Sequence, residues 1–354
     1  MSPASGKISL LLCVVVQGIC TCTGQGGPGV NSSFPAVFSF GDSILDTGNN
    51  NGLRTLTKCN FPPYGKDFPG GRATGRFSNG KVPSDLIVEA LGIKDLLPAY
   101  LDPALSDKDI PTGVGFASGG SGLDPLTASL QGVISVSEQL NQFREYIDRL
   151  KGIVGEANAT AVLNNALFLI SAGNNDIAIT YLSARLRIIP FPTYSNILVN
   201  DATDFIQALY DLGARRFIVL STLPLGCLPS ARGSTGLLCA DVANQAAQEF
   251  NTNLSNDIAY LAGSLQNATV AYVDVYGPFL ELIQNPGQSG FVVSNVACCG
   301  GSSLLCTPFG LLTCPNPSNF VFWDSAHPTE RAYRVAVAPA ILRAINSSFV
   351  ANYH

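Results

Sequence analysis

One imidazole in this chain is placed to act as a general base. The sequence has only two histidines, and His354 lies at its end, where chains usually lack fixed structure. His327 lies in the segment 323–328, where Pro328 biases it away from helical geometry. Asp324, three residues earlier, can accept a hydrogen bond from the imidazole Nδ1–H, which fixes the tautomer and stabilises the imidazolium. This pattern predicts a His–Asp pair that takes a proton from a nucleophile.

The best-placed nucleophile is a serine that directly follows a predicted strand. The run at 34–40 has the aromatic and β-branched composition of a buried strand, and it ends at Gly41-Asp42-Ser43. Turn residues dominate 46–52, so a loop follows. Open α/β sheets bind their ligands at the carboxyl ends of the strands. Ser43 is therefore predicted to present its hydroxyl at a ligand-binding edge.

A serine nucleophile also needs hydrogen-bond donors for the oxyanion that forms when it attacks a carbonyl carbon. Two further segments offer such donors. The glycine-rich segment 118–122 can present backbone N–H groups without a Cβ in the way, and the Gly-Asn-Asn-Asp segment 173–176 offers side-chain amides. Both follow predicted strands, and the strand-end loops of a parallel sheet share one edge. Taken singly, the two segments are equally compatible with a tight turn and a helix cap.

Strands and helices alternate along the chain, which predicts an α/β fold with a central parallel sheet covered on both faces. Strands are predicted at 34–40, 112–117, 166–170, 217–220 and 270–275, and helices at 82–91, 135–150, 194–212, 241–261 and 329–345. A Gly- and Pro-rich loop at 46–80 and an insert at 291–320 are expected to shape the substrate pocket. Because no repeat or linker divides the sequence, residues 25–354 are predicted to form one domain.

The first 24 residues have the features of a secretory signal peptide. Lys7 precedes an apolar run at 8–16 that is too short to span a bilayer, and small residues follow it. An extracellular protein is therefore predicted, and no later stretch is apolar enough to predict an integral membrane span. Five Asn-x-Ser/Thr sequences are candidate glycosylation sites in an exported chain: Asn31, Asn158, Asn253, Asn267 and Asn346.

The cysteines agree with export. After removal of residues 1–24, those that remain are Cys59, Cys227, Cys239, Cys298, Cys299, Cys306 and Cys314. Most are expected to form disulfides in an oxidising compartment, and because their number is odd one is expected to stay free. The pairing does not follow from the sequence. A zinc site at 298–314 is disfavoured because the spacing contains no CxxC pair and no histidine lies nearby.

The overall charge excludes one class of partner. The net charge is −5 and only 13% of the residues are charged, so no basic surface for nucleic acid is expected. The segment 75–81 matches GxxxxGK, but it lacks both a preceding strand and the Ser/Thr that binds Mg²⁺ in phosphate-binding loops. No cofactor and no metal are therefore predicted.

Four blocks of the sequence resemble, in order, those of the GDSL esterase/lipases, which are SGNH hydrolases. The blocks are 41–50 (GDSILDTGNN), 116–120 (FASGG), 173–176 (GNND) and 324–330 (DSAHPTE). Segments typical of the plant branch occur at 75–80 (GRFSNG), 223–227 (LPLGC) and 298–300 (CCG), and 92–101 looks like the extracellular lipases of the anther and pollen coat. Many plant members have Asn directly before the Phe-Ala pair, where this chain has Gly115.

The resemblance implies a three-layer α/β/α, flavodoxin-like fold and hydrolysis of carboxylic esters, including lipid esters, through an acyl-enzyme. It implies that Ser43 is the nucleophile and that its own N–H donates to the oxyanion. Gly120 and Asn175 would complete the oxyanion hole, and spacing favours Gly120 over Gly119.

The resemblance also gives roles to the predicted His–Asp pair. His327 would act first as general base and then as general acid, oriented by Asp324. The expected partner is a small-molecule or lipid ester. Two other functions remain open. An acyltransferase would pass the same acyl group to another alcohol, and an extracellular binding or structural protein would not use the site for catalysis.

Overall fold

The computed structural model describes residues 34–232, 236, 238–300, 303–308 and 313–350. Four parallel strands form its main sheet in the order β1-β2-β3-β4. The strands are β1 Val37–Gly41, β2 Leu167–Ser171, β3 Arg216–Leu220 and β4 Thr269–Val273. Every residue of β1 and β2 is buried, as their apolar sequences predict for a sheet covered on both faces. The predicted parallel sheet is confirmed.

Helices flank this sheet. Within the described residues the α-helices are α1 Pro83–Ala90, α2 Pro125–Gln131, α3 Val136–Val154, α4 Glu156–Asn165, α5 Phe191–Asp211, α6 Asp241–Ser264, α7 Tyr276–Gln284, α8 Glu330–Ala332 and α9 Ala338–Ile345. An aromatic side chain of β1 packs against α3 and α5: Phe40 makes edge-to-face contacts with Phe143 of α3 and Phe205 of α5. Helix α9 contacts β3, β4 and α1. The predicted three-layer α/β/α arrangement is confirmed.

The sequence signals for helix ends match the observed ends closely. Helix α3, predicted at 135–150, begins where Ser135 Oγ accepts a hydrogen bond from the N–H of Glu138 and so caps the helix. The predicted carboxyl-terminal helix is present, but it is not α-helical throughout. Its α-helical parts α8 and α9 are joined by a π-helical segment, Tyr333–Val337, and a second one follows at Asn346–Val350.

The strand predicted at 112–117 is wrong. This segment runs beside β1 and forms a β-bridge with it only at Gly115, opposite Ser39. The N–H groups of Phe116 and Ala117 both donate to the Ser39 carbonyl and that of Ser118 donates to the Gly41 carbonyl, so the pairing is irregular and no ladder forms. Pro111, together with the glycines of the segment, accounts for this because both residue types weaken strand pairing. The segment nevertheless leads residues 118–122 to the carboxyl end of the sheet.

Two elements near the site do not follow from the sequence patterns. A π-helical segment, Asp176–Arg185, begins at the last residue of the predicted Gly-Asn-Asn-Asp segment 173–176. A small parallel pair of strands forms within and at the end of the predicted insert 291–320: β5 Val293–Ala297 and β6 Phe320–Phe322. Both are too short or too irregular to show a clear period.

The described cysteines pair in three disulfides: Cys227–Cys239, Cys298–Cys314 and Cys299–Cys306. Cys59 is free and fully buried, so the predicted single free cysteine is found among the described residues. In the same part of the chain, no group of three or more His, Cys, Asp or Glu side chains could hold a metal ion. The cluster at 298–314 therefore forms disulfides, as expected.

The predicted signal peptide at 1–24 and the candidate glycosylation site Asn31 lie outside the described residues. Asn158, Asn267 and Asn346 are exposed, whereas Asn253 is half-buried and donates to Ser195 Oγ. None of the helices in the described ranges is long and apolar enough to cross a membrane.

Candidate active site

The structure brings Ser43, His327 and Asp324 into one chain of hydrogen bonds. His327 Nε2 lies 2.8 Å from Ser43 Oγ, although the two residues are 284 positions apart. His327 Nδ1 lies 2.8 Å from Asp324 Oδ1 and 2.9 Å from Oδ2. Ser43 and His327 are each 6% exposed and Asp324 is fully buried, so little water competes for these bonds.

A tight loop after β6 brings His327 and Asp324 together. Asp324 Oδ1 accepts the backbone N–H groups of Ala326 and His327, which turns the chain back on itself. The N–H of Trp323 donates to the His327 carbonyl and closes the same loop. Pro328 then forms an antiparallel β-bridge with Phe322 of β6. His327, which precedes this proline, is therefore in a non-helical turn, as the sequence predicts. The imidazole is thus fixed by its own loop before it contacts the serine.

Ser43 reaches the edge of the sheet because the chain turns sharply at the end of β1. Gly41 has φ +114°, and a Cβ there would lie 1.8 Å from the carbonyl oxygen of Ser171 on β2. Only glycine permits this close approach. The amide of Gln139 on α3 fixes Gly41 at both its N–H and its C=O.

The carboxylate of Asp42 ties the serine loop to the loop after β2. It accepts hydrogen bonds from the N–H of Ile44, from Ser171 Oγ and from Asn174 Nδ2. Asn174 in turn accepts from the N–H of Leu223, so the loop after β3 joins the same network. Burial raises the pKa of Asp42 to about 6, against the opposing effect of these donors. Asn174 therefore links the loops after β1, β2 and β3, and its side chain also lines the cavity described below.

The loop that begins with Asp46 supports the glycine-rich segment 118–122. Asn49 donates to the carbonyls of Gly115 and Ala117, and Asn50 donates to the carbonyl of Gly119. Asp46, whose pKa burial raises to about 6, accepts the N–H of Gly119. Sequence analysis did not assign these supporting roles to Asn49 and Asn50, although both lie in the block that begins at Gly41.

Three donors that the sequence analysis assigns to the oxyanion, the N–H groups of Ser43 and Gly120 and the side-chain amide of Asn175, are not fully used by other hydrogen bonds. Among the hydrogen bonds of the described residues, none is donated by the N–H of Ser43 or by the N–H of Gly120. Asn175 Nδ2 gives one hydrogen bond, to the Ser121 carbonyl, and its second hydrogen is available. Gly119 differs from Gly120, because its N–H is held by Asp46. Ser43 and Asn175 both line the same cavity.

That cavity has a volume of about 270 Å³ and opens beside Ser43 and His327. Three elements form most of its apolar wall: the π-helical segment 176–185, the loop after β3 and the start of α6. The apolar lining residues are Ile44, Ala178, Ile179, Leu182, Leu223, Leu225, Leu228, Ala231, Ala243, Leu304 and Ala326. Sequence analysis did not predict this wall. Its only sign in the sequence is the presence of apolar residues in segments that follow the strands.

The expectation that loop 46–80 shapes this cavity is wrong, because no residue of that loop lines it. The loop lies instead behind the His–Asp pair. Phe77 packs on the His327 ring with 5.0 Å between the ring centroids, and Tyr64 contacts Asp324. Of the insert 291–320, Leu304 does line the cavity.

The fold and this cluster define an α/β enzyme with Ser, His and Asp in hydrogen-bond contact at the edge of its sheet. Residues 37–339 match the family described as GDSL-like lipase/acylhydrolase. Two GDSL esterase/lipases of Arabidopsis thaliana are 51% and 53% identical over 320 residues, covering 90% of this chain and 93% and 91% of their own lengths. The chain therefore belongs to the GDSL esterase/lipase family and is a carboxylic ester hydrolase.

Among solved structures, a catalytic mutant of Axe2, an acetylxylan esterase from Geobacillus stearothermophilus, is similar to this chain with a TM-score of 0.40 and 13% identity. The match covers 90% of this chain and 96% of that one.

Proposed function

We propose that this protein is a secreted serine hydrolase that cleaves acyl esters through an acyl-enzyme on Ser43. The observation that carries the proposal is the unbroken chain Ser43 Oγ, His327 Nε2, His327 Nδ1 and Asp324, which ends at an apolar cavity. His327 takes the Ser43 proton as the hydroxyl attacks the ester carbonyl, and then gives it to the leaving alcohol. Water, activated in the same way, releases the acid. Asp324 holds the tautomer and stabilises the imidazolium.

The oxyanion is bound by the N–H groups of Ser43 and Gly120 and by the side-chain amide of Asn175. Gly120 is preferred to Gly119 because the Gly119 N–H already donates to Asp46. Gly120 has φ +84°, and a Cβ there would lie 2.9 Å from a methyl group of Thr57, so a side chain would displace this loop. Such preorganised donors lower the barrier because they need no reorganisation as charge develops.

The substrate is an ester with an alkyl acyl group. The cavity beside Ser43 is lined mainly by Leu, Ile and Ala side chains, and each methylene buried there contributes roughly 0.8 kcal/mol to binding. Residues 25–354 act as one catalytic domain after the signal peptide at 1–24 is removed. Three disulfides among the described residues support an oxidising destination. There, glycans are expected on the exposed Asn158, Asn267 and Asn346, on Asn31, and on Asn253 if it releases Ser195.

The test is hydrolysis of p-nitrophenyl esters from acetyl to palmitoyl by the full chain, expressed with residues 1–24 and recovered from the medium. We expect Ser43→Ala, His327→Ala and Asp324→Ala each to lose at least about 10³ in kcat. The three losses should not multiply when combined, because the residues act as a unit.

Near-normal turnover by His327→Ala would refute the proposal, since no second imidazole lies in the described residues. Release of p-nitrophenol that depends on an added alcohol and yields its ester would instead identify an acyltransferase. Retention inside the cell, or an intact amino terminus on the recovered protein, would contradict secretion.

A further inference from the structure

The carboxylate of Asp324 has a partner that the catalytic chain does not explain. The hydroxyl of Tyr64 donates to Asp324 Oδ2 over 2.7 Å, from a loop 260 residues away in sequence. Both side chains are buried, with Tyr64 1% exposed and Asp324 fully enclosed. A buried hydrogen bond from a neutral donor to a carboxylate is short and strong, and it spreads the negative charge.

The donors to Asp324 divide unequally between its two oxygens. Oδ1 accepts the backbone N–H groups of Ala326 and His327 and faces His327 Nδ1. Oδ2 faces the imidazole too, and Tyr64 is its only other donor within the described residues. Without Tyr64, one oxygen of a fully buried carboxylate would depend on the imidazole alone.

The position and the direction of the Tyr64 hydroxyl are both fixed. The hydroxyl oxygen accepts the backbone N–H of Cys306 over 3.0 Å, so its own hydrogen is left for Asp324. The ring lies edge-on to Phe61 and to Trp323, with centroids 5.5 Å and 6.5 Å away. The Gly65 N–H donates to the Ser78 carbonyl and anchors the chain beside it. The phenol is therefore held by contacts on its hydroxyl, its ring and its backbone.

We propose that Tyr64 is a positioning residue that acts on the reaction through Asp324. Its hydroxyl fixes the plane of the carboxylate toward the imidazole and stabilises the ionised form that orients His327. This inference rests on the proposed catalytic roles of Ser43, His327 and Asp324. It also gives loop 46–80 a function different from the pocket wall that its length suggested.

The proposal has a consequence for the pH dependence of the reaction. In the active form the His327–Asp324 pair holds one proton, and a second proton inactivates it. Tyr64 stabilises the negative charge of the carboxylate. Removal of the Tyr64 hydroxyl therefore makes it easier for the pair to take up the second proton, whether His327 or Asp324 binds it. Other titratable groups that interact electrostatically with the pair are the Cys59 thiol, the Tyr333 hydroxyl and the Asp42 carboxyl. Tyr64→Phe also removes the interaction between the Tyr64 hydroxyl and the Cys59 thiol, whereas Tyr333 and Asp42 do not contact that hydroxyl.

The experiment compares Tyr64→Phe with the wild-type chain in the hydrolysis of p-nitrophenyl butyrate from pH 4 to 9. We expect kcat to fall about tenfold with KM changed less than twofold. The acidic limb of kcat/KM should move to higher pH by about one unit. Tyr146→Phe is the matched control. It removes a buried tyrosine hydroxyl that donates to a backbone carbonyl, that of Ile110, and it should leave the pH profile in place.

Repeating the substitution in the Asp324→Ala variant distinguishes a positioning role of Tyr64 from a general loss of structure. If Tyr64 acts through Asp324, Tyr64→Phe should change the residual turnover of Asp324→Ala less than twofold. An equal loss in both backgrounds, or an unchanged profile in Tyr64→Phe, would overturn the inference. Full turnover by Asp324→Ala would instead refute the proposed catalytic triad, which is a distinct result.

Should Tyr64→Phe fail to fold, incorporation of 3-fluorotyrosine at position 64 keeps the test decisive. Its hydroxyl is a stronger donor of nearly the same size, so the acidic limb should move to lower pH. A limb that stays in place or moves to higher pH would count against the inference.

Discussion

Two side chains from opposite ends of the chain, Ser43 and His327, are in hydrogen-bond contact, and each is held in place by its own loop. Ser43 is held by the turn at Gly41, and His327 by the loop that Asp324 closes. Their contact of 2.8 Å therefore requires no ordering of flexible side chains at the moment of reaction. Burial makes each hydrogen bond of this chain stronger than it would be in water.

At this scale Asn175 offers a sharp test of the oxyanion hole. We expect Asn175→Ala to lower kcat by about 10² to 10³ while KM changes little, because the lost hydrogen bond forms only as the oxyanion develops. Steady-state hydrolysis of p-nitrophenyl butyrate measures both parameters. Asn165→Ala is the control, since Asn165 also donates to a backbone carbonyl but lies before β2, at the opposite end of the strand. A rise in KM with kcat unchanged would assign Asn175 to ground-state binding instead.

Residue types and spacing were enough to propose Ser43, Asp324 and His327, because histidine is so scarce in this sequence. They were not enough to separate Gly119 from Gly120. That choice depends on a hydrogen bond from the Gly119 N–H to Asp46, which lies 73 positions away. No local pattern around residues 118–122 carries this information.

The π-helical segment Asp176–Arg185 is the element that turns a strand end into one side of a pocket. Its first residue, Asp176, accepts the N–H groups of Leu123 and Asp124 and the hydroxyl of Thr127, so the segment is anchored to the start of α2. Ala178, Ile179 and Leu182 then line the cavity. Sequence analysis treated Asp176 only as the end of a loop, because its partners lie some 50 positions upstream.

We expect the cavity wall on α6 to set an upper limit on the acyl length of the substrate. Ala243 is buried there, and we expect Ala243→Phe to fill part of the space that the end of a long acyl chain would occupy. The ratio of kcat/KM for p-nitrophenyl octanoate to that for the acetate should fall at least about tenfold, equivalent to roughly two methylenes no longer buried. Parallel assays of the two esters measure this ratio.

Val242→Phe provides the matched control for this prediction. Val242 precedes Ala243 but is 66% exposed and does not line the cavity, so the same added ring should leave the ratio unchanged. Equal effects of the two substitutions would mean that the acyl chain does not occupy this cavity.

Across the whole molecule, three buried carboxylates join the loops that carry the site. Asp42 links the loop after β1 to the loop after β2, Asp46 links it to residues 118–122, and Asp176 links the loop after β2 to α2. In the described structure, none of the three accepts a hydrogen bond from a Lys or Arg side chain. Their backbone and amide donors offset part of the cost of burial, but not all of it.

Sequence periodicity predicted the parallel sheet and most of its helices, because long buried runs dominate those elements. It failed where pairing is nonlocal. The segment 112–117 has an apolar run but forms a β-bridge with β1 at a single residue, and β5 and β6 pair across some twenty intervening residues. Disulfide pairing was equally hidden, because it depends on which loops of the folded chain lie side by side.

The three buried carboxylates predict how the stability of the whole molecule varies with pH. Burial raises the pKa of each to about 6 from an ordinary value of 3.8, so between these values the folded state binds more protons than the unfolded state. Stability should therefore fall as pH rises through 6, and we expect the free energy of unfolding to be at least about 2 kcal/mol larger at pH 5 than at pH 7.5. Urea unfolding at the two pH values measures the difference. Asp176→Asn removes one of the three carboxyl groups and should reduce it, whereas an equal or greater stability of the wild type at pH 7.5 would show that these carboxylates are fully compensated by their donors.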